Sequence, residues 1–200
     1  MENCYIKDPQ ISTIQGYPFS SRIPYLPPYV KRHNELLVTG IDLRMQKLCS
    51  GLLYSAQESI LYNYYLKYNI YRFLWIRSFY SQIVISLSDG DSGIMLETIK
   101  LEFSGSGDGA AIILSDETKY LTISDWEEFE RQLENCSFWS MQPCIDNEGY
   151  ARDGSSWLIE GHLKEKYWFV SRDLPDTNLS NIAEFLINKS GMDEIIIKHP

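Results

Sequence analysis

The clearest pattern of hydrophobic and polar positions in this 200-residue chain runs from Tyr71 to Phe103. Aromatic and β-branched residues fill 71–79 and 82–87, which predicts two β-strands, and a third strand is predicted over 94–103. The run 88–93 between the last two contains Gly and Asp residues, which tolerate the positive φ angles of a tight turn. We therefore predict an antiparallel sheet built on these strands.

The first of these strands should be covered on both faces. Because side chains alternate along a strand, Arg77 shares one face with Phe73, Trp75 and Phe79, and Arg72 shares the other with Leu74 and Ile76. A strand that is apolar on both faces is typically central in its sheet, so the two arginines need acceptors or a route to water. They are either ion-paired structural residues or part of a site for an anion or a carboxylate ligand.

The segments before and after this sheet predict helices and further strands. We expect a strand over 36–39, a helix over 42–53 and a short helix over 54–68. Two short strands, 110–115 and 120–123, are expected on either side of a polar run.

A capping box predicts the start of the next helix. Ser124 and Glu127 have the required spacing, and the helix should extend to Asn135 with Trp126, Phe129 and Leu133 on one stripe. A hairpin is predicted over 157–163 and 167–172, followed by a helix capped by Thr177 and ended by Gly191, and then by an edge strand at 195–197.

Five of the eight prolines lie in residues 1–32, which indicates an extended, proline-rich N-terminal arm. Residues 33–200 should then form a single domain, which is large enough to bury a core without disulfide bonds or a structural metal ion. We predict an α+β fold: a mainly antiparallel, twisted sheet with about two to four helices packed on it.

The formal net charge of −9 argues against a nucleic-acid partner, because phosphate binding requires clustered Lys and Arg. It favours a basic protein partner instead. We expect neither a membrane span nor an export leader, and hence a cytoplasmic location. The four cysteines, Cys4, Cys49, Cys136 and Cys144, should be free thiols, although a bond between Cys136 and Cys144 is an alternative in an exported protein.

Several segments of the chain resemble a family of uncharacterised bacterial proteins. They are 58–62, 71–79, 153–161 and 167–172, the last followed by Pro175. The resemblance covers roughly residues 55–185 and includes a Trp-x-x-Glu-Gly strand at 157–161. That family usually carries His and Trp where this chain has Trp168 and Asp173. The resemblance implies one fold and a bacterial origin, and it implies no activity.

No set of residues predicts catalysis. The three histidines lack metal-ligand spacing, no Ser or Cys stands in a nucleophile elbow, and we assign no cofactor and no metal. The most notable charged residues are Arg72, Arg77, Glu160 and Arg172, and Glu160 and Arg172 could pair across the hairpin if they share a face.

We expect a non-enzymatic, acidic protein-binding module of the immunity-like or inhibitor-like kind, because tyrosine and tryptophan are favoured at interfaces and the chain is acidic. The alternative is a small-molecule-binding protein or a hydrolase. Its cleft would be lined by aromatic residues with charged residues at the base, and the binding candidates are Arg72, Trp75, Arg77, Trp157, Glu160, Tyr167 and Arg172.

Overall fold

The protein has an α+β fold, and a computed structural model describes residues 24–32, 35–62, 66–104, 109–145, 155–164, 166–173 and 177–192. Within these residues there are three α-helices, α1 (Leu43–Ser55), α2 (Ile123–Asn135) and α3 (Thr177–Ser190). The strands are β1 (Tyr29–Arg32), β2 (Glu35–Val38), β3 (Asn69–Arg77), β4 (Gln82–Gly90), β5 (Gly93–Phe103), β6 (Ala111–Tyr120), β7 (Ser155–Leu163) and β8 (Lys166–Arg172).

Six of the strands form one antiparallel sheet in the order β6-β5-β4-β3-β7-β8, and β1 pairs with β2 in a separate hairpin. Strand β3 is interior, since Phe73 lies opposite Ile85 of β4 on one side and opposite Ile159 of β7 on the other. The prediction of a central, doubly covered strand is confirmed. The predicted turn is shorter than expected, because pairing continues to Gly90 and Gly93.

Helices α2 and α3 cover one face of the sheet, which we call the helix face. Tyr71 of β3 lies on this face and contacts Trp126 and Phe129 of α2, with ring centroids 5.3 and 5.1 Å apart. Phe129 in turn packs on Phe185 of α3. The apolar stripe predicted for the helix before Asn135 is therefore buried, as expected.

Helix α1 and the segment that precedes β1 cover part of the other face, which we call the network face. Tyr25 is fully buried, and its amide donates to Ser50 of α1 at 3.0 Å. The Ser55 hydroxyl accepts from the amide of Ala111 at 3.1 Å, which attaches the end of α1 to β6. Part of the network face along β4, β5 and β6 is left uncovered and borders a cavity.

Two predicted strands around residues 116–119 are wrong: one continuous strand, β6, runs through the polar residues. It pairs with β5 over its length, apart from a register shift between Lys100 and Leu101. Because β6 is at the edge of the sheet, its polar side chains can face solvent without interrupting the pairing.

The predicted capping box is also wrong in position. Thr122 caps α2 and exchanges hydrogen bonds with Asp125, so the helix begins at Ile123. The chain leaves the sheet just before this point, where the amide of Leu121 still donates to the carbonyl of Ile94. The helix therefore starts as soon as strand pairing ends, and its capping residue lies two residues before Ser124.

Other expectations have mixed outcomes. The helix predicted over 54–68 does not form over 56–62, which is irregular, whereas α1 and the β7–β8 hairpin match their predictions. Helix α3 forms where it was predicted, with Thr177 as its first residue and not as the residue before it. Cys49, Cys136 and Cys144 are free thiols. Most of the predicted arm, Cys4 and the strand at 195–197 lie outside the described residues. No helix in the described ranges is long and apolar enough to cross a membrane.

Candidate functional site

A row of polar side chains crosses the network face, one from each of five adjacent strands. Cross-strand pairing places Glu160 of β7, Arg72 of β3, Ser86 of β4, Glu97 of β5 and Thr118 of β6 side by side. Residues that are directly opposite on neighbouring strands lie on the same face and about 5 Å apart. The strand register therefore assembles this row, which we call the polar row.

Arg72 is the centre of a buried hydrogen-bond network. Its Nε and Nη2 donate to Glu160 Oε2 at 2.9 and 2.5 Å, and its Nη1 donates to Glu58 Oε2 at 3.2 Å and to the carbonyl of Ser59 at 2.7 Å. Arg72 and Glu160 are both fully buried. Burial alone would lower the pKa of Arg72, but the carboxylates of Glu160 and Glu58 outweigh it and raise that pKa, so the guanidinium stays charged.

The two carboxylates are held by further donors. The Tyr167 hydroxyl donates to Glu160 Oε1 at 2.9 Å, and the Ser86 hydroxyl donates to Glu58 Oε1 at 2.7 Å. Burial raises the pKa of Glu160, and the bonds from Arg72 and Tyr167 oppose that effect. The network therefore has two carboxylates for one guanidinium, and its polar groups are satisfied as buried ion pairs require.

A cavity of about 550 Å³ lies next to this network, over the uncovered part of the network face. Its floor is formed by β4 and β5, one wall by β6, and the opposite wall by the irregular segment after α1 together with the residues that lead into β3. The described residues that line it include four acidic ones and one basic one: Glu58, Asp91, Glu97, Asp116 and Lys67. The cavity is therefore acidic.

Glu97 is the cavity carboxylate with the most unusual environment. Partial burial and the nearby charges of Glu58 and Asp116 raise its pKa from 4.5 to about 7. Within the described part of the chain, no hydrogen bond or ion pair satisfies it, whereas Glu58 bonds to both Arg72 and Ser86. Glu97 can therefore change its charge near neutral pH.

The remaining lining residues are mixed. Met95 and Ile99 flank Glu97 on β5, and Ile113 contributes from β6. Tyr68 is anchored by a 3.0 Å hydrogen bond between its hydroxyl and that of Ser59. In the described residues, no group of three or more His, Cys, Asp or Glu side chains is placed to hold a metal ion.

The predicted binding residues do not form one cleft, because the sheet separates them. Arg72, Glu160 and Tyr167 meet in the network, on the network face. Trp75 and Trp157 lie on the helix face, where their rings contact each other at 6.0 Å. All five side chains are buried.

The other two predicted arginines also lie on the helix face. Arg77 stacks on the ring of Trp75 at 4.8 Å and donates to the carbonyl of Ser81. Arg172 lies opposite Trp157 on β8 and donates to the carbonyls of Pro143 and Gln142. The hypothesis that Glu160 pairs with Arg172 is therefore wrong, since Glu160 faces the opposite side of the sheet and pairs with Arg72.

None of the four cavity carboxylates was among the binding residues predicted from the sequence: Glu58, Asp91, Glu97 and Asp116. Glu97 carried a usable signal, because it stands between Met95 and Ile99 on the same face of a strand that is otherwise largely apolar. The local pattern around Glu58 gave no such signal, because Glu58 lies in an irregular segment whose path depends on contacts distant in sequence.

Neither protein-family models nor the curated proteins contain a match to this chain. The resemblance to a bacterial family stays a prediction. The structure adds that segments carrying that resemblance meet at one place, since Glu58, Arg72, Glu160 and Tyr167 all belong to the network.

Proposed function

We propose that this protein is an acidic protein-binding module of the immunity-like or inhibitor-like kind, which recognises a basic protein through the mouth of the acidic cavity. One observation supports this function: four carboxylates and one lysine line an open cavity of about 550 Å³. Opposite charge on a partner would speed association and set its orientation, and both effects weaken as salt screens the charges.

The position of the acidic residues supports a surface role. Asp91, in the turn between β4 and β5, and Asp116, on edge strand β6, are both exposed at the cavity. Glu97 is half-buried beneath them. The acidic region thus continues from the surface into the protein, which suits a partner that carries a protruding basic side chain.

Binding of a small molecule in the same cavity is a second candidate function. The observation that favours it is the volume, which lies within the range of about 300–1,000 Å³ that is common for ligand pockets. The aromatic cleft considered from the sequence does not supply this site, because its residues are buried on two faces of the sheet.

The test begins with copurification of the tagged protein from its native host at low and at moderate salt, followed by affinity measurements with the purified partner. Replacing both mouth carboxylates, Asp91→Asn with Asp116→Asn, should weaken binding by about tenfold or more. The matched control is Glu127→Gln with Glu134→Gln, which removes the same charge from the exposed surface of α2 on the opposite side of the sheet.

The control variant should lose less affinity for the basic partner. It lowers only the long-range attraction, which depends on the net charge of the protein, whereas the mouth carboxylates also orient the bound partner. If no basic protein binds, or if the two double variants lose affinity equally, the proposed function is wrong.

A further inference from the structure

The charges on the network face alternate in sign until they reach the cavity. Glu160 is followed by Arg72, and Arg72 by Glu58, with hydrogen bonds between each pair. Beyond Glu58, the next charged side chains on the strands of this face are Glu97 and Asp116, both acidic and both lining the cavity. The alternation is thus interrupted at the cavity, where a cation would continue it.

The strand register locates this position. Ser86 lies directly between Arg72 and Glu97 in the polar row, and its hydroxyl holds Glu58 Oε1. Glu58 therefore reaches over β4 from one side while Glu97 rises from β5 on the other. Their mutual repulsion contributes to the raised pKa of Glu97. A cation above Ser86 would lie between these two carboxylates.

The cavity can also hold an apolar stem behind such a cation. Met95 and Ile99 flank Glu97 on the floor, and Ile113 lies on the β6 side. Tyr68 lines the opposite wall, and guanidinium groups stack favourably on aromatic rings. An aliphatic chain that ends in a cation matches this combination of walls.

We infer that the cavity binds a guanidinium group on an aliphatic stem, that is, an arginine side chain presented by the basic partner. This inference rests on the proposed function and names the group that the cavity recognises. A guanidinium is preferred to an ammonium because its planar fork donates to carboxylates on two sides. Arg72 makes this same arrangement on the far side of Glu58, with Glu160 as the second carboxylate.

Binding should release a proton when the pH is below about 7. Four other charged side chains line the cavity with Glu97. They are Glu58 in the segment after α1, Asp116 on β6, Asp91 in the β4–β5 turn and Lys67 just before β3. A bound cation would favour the ionised form of Glu97, so the proton that it holds at lower pH is displaced. Affinity should therefore rise as the pH increases to 7 and then level off.

The experiment uses three small probes with the same backbone and different side chains: the N-acetyl methylamides of arginine, lysine and citrulline. Citrulline replaces the guanidinium by a neutral urea of nearly the same shape. Titrations followed by NMR should shift the methyl resonances of Met95, Ile99 and Ile113 with arginine, less with lysine and not with citrulline. Calorimetry in buffers of different ionisation enthalpy should detect proton release on arginine binding below pH 7.

Two variants complete the test. Glu97→Gln should weaken arginine binding by about tenfold, because it removes one charge-assisted contact, and it should abolish proton release. Glu134→Gln on α2 should change neither. Equal shifts with citrulline and arginine, or binding of arginine that is unchanged in Glu97→Gln, would overturn the inference.

Failure of this inference can be told apart from failure of the proposed function. If a basic protein binds and the mouth variants weaken it, but the arginine probe leaves the cavity resonances unmoved, the inference is wrong and the function stands. If the arginine probe binds in the cavity but no basic protein does, the site is retained and the proposed function fails.

Discussion

Replacing Glu97 by Gln should stabilise the protein at alkaline pH, although it removes a candidate binding residue. The pKa of Glu97 is raised from 4.5 to about 7, through partial burial and through the charges of Glu58 and Asp116. As the pH rises from 4.5 to 7, the unfolded chain releases this proton while the folded protein retains it. Stability is therefore lost across this window, and the loss is complete above pH 7.

The size of the effect follows from the same values. At about 1.36 kcal/mol per pKa unit, the upper bound is about 3 kcal/mol. Glu97 is only half-buried beside an open cavity, so solvent and salt screen the repulsion, and we expect about 1 kcal/mol. Gln has nearly the same shape as Glu and does not ionise, so it avoids this cost.

Urea denaturation of both proteins at about pH 5 and pH 8 measures this difference. We expect Glu97→Gln to be about 1 kcal/mol more stable at pH 8 and nearly equal to the parent at pH 5. The control is Glu102→Gln on the same strand, which is exposed and should change stability by less than about 0.5 kcal/mol at either pH. A Glu97→Gln variant that is less stable at pH 8, or equally affected at both pH values, would refute the reasoning.

Two further predictions concern stability alone. Arg72→Met should destabilise the protein by about 3–5 kcal/mol in urea denaturation, because Glu58 and Glu160 are then left buried without their cation. The exposed control Arg131→Met should cost less than about 0.5 kcal/mol. A small loss of stability in Arg72→Met would contradict the structural role of the network. Thr122→Ala should cost about 1 kcal/mol in thermal or urea denaturation, whereas Ser124→Ala should cost little; the reverse order would place the helix cap at Ser124.

The pattern along the chain determined much of the sheet. Alternating apolar residues identified β3, and its two apolar faces placed it in the interior, because a two-residue period is a local property of the backbone. The β7–β8 hairpin and the buried stripe of α2 could be read in the same way. These features depend on residues that are close together in the sequence, within one or two helical turns or a few positions of a strand.

Other local signals were ambiguous, because the sequence around them fits two structures equally well. Both Thr122 and Ser124 are followed three residues later by an acidic residue, and only the end of β5–β6 pairing selects the first. The polar run in β6 resembles a turn in sequence, and it is a strand because β5 supplies hydrogen-bond partners along it.

The candidate site itself depended on tertiary structure. Arg72 and Glu160 could be singled out as charged residues in predicted strands. Their pairing, however, depends on the register between β3 and β7, and the two residues are 88 positions apart in the chain. A shift of one residue would have moved either side chain to the opposite face. The acidic cavity arose in the same way, because Glu58 and Glu97 come from distant segments that meet only after the sheet has formed.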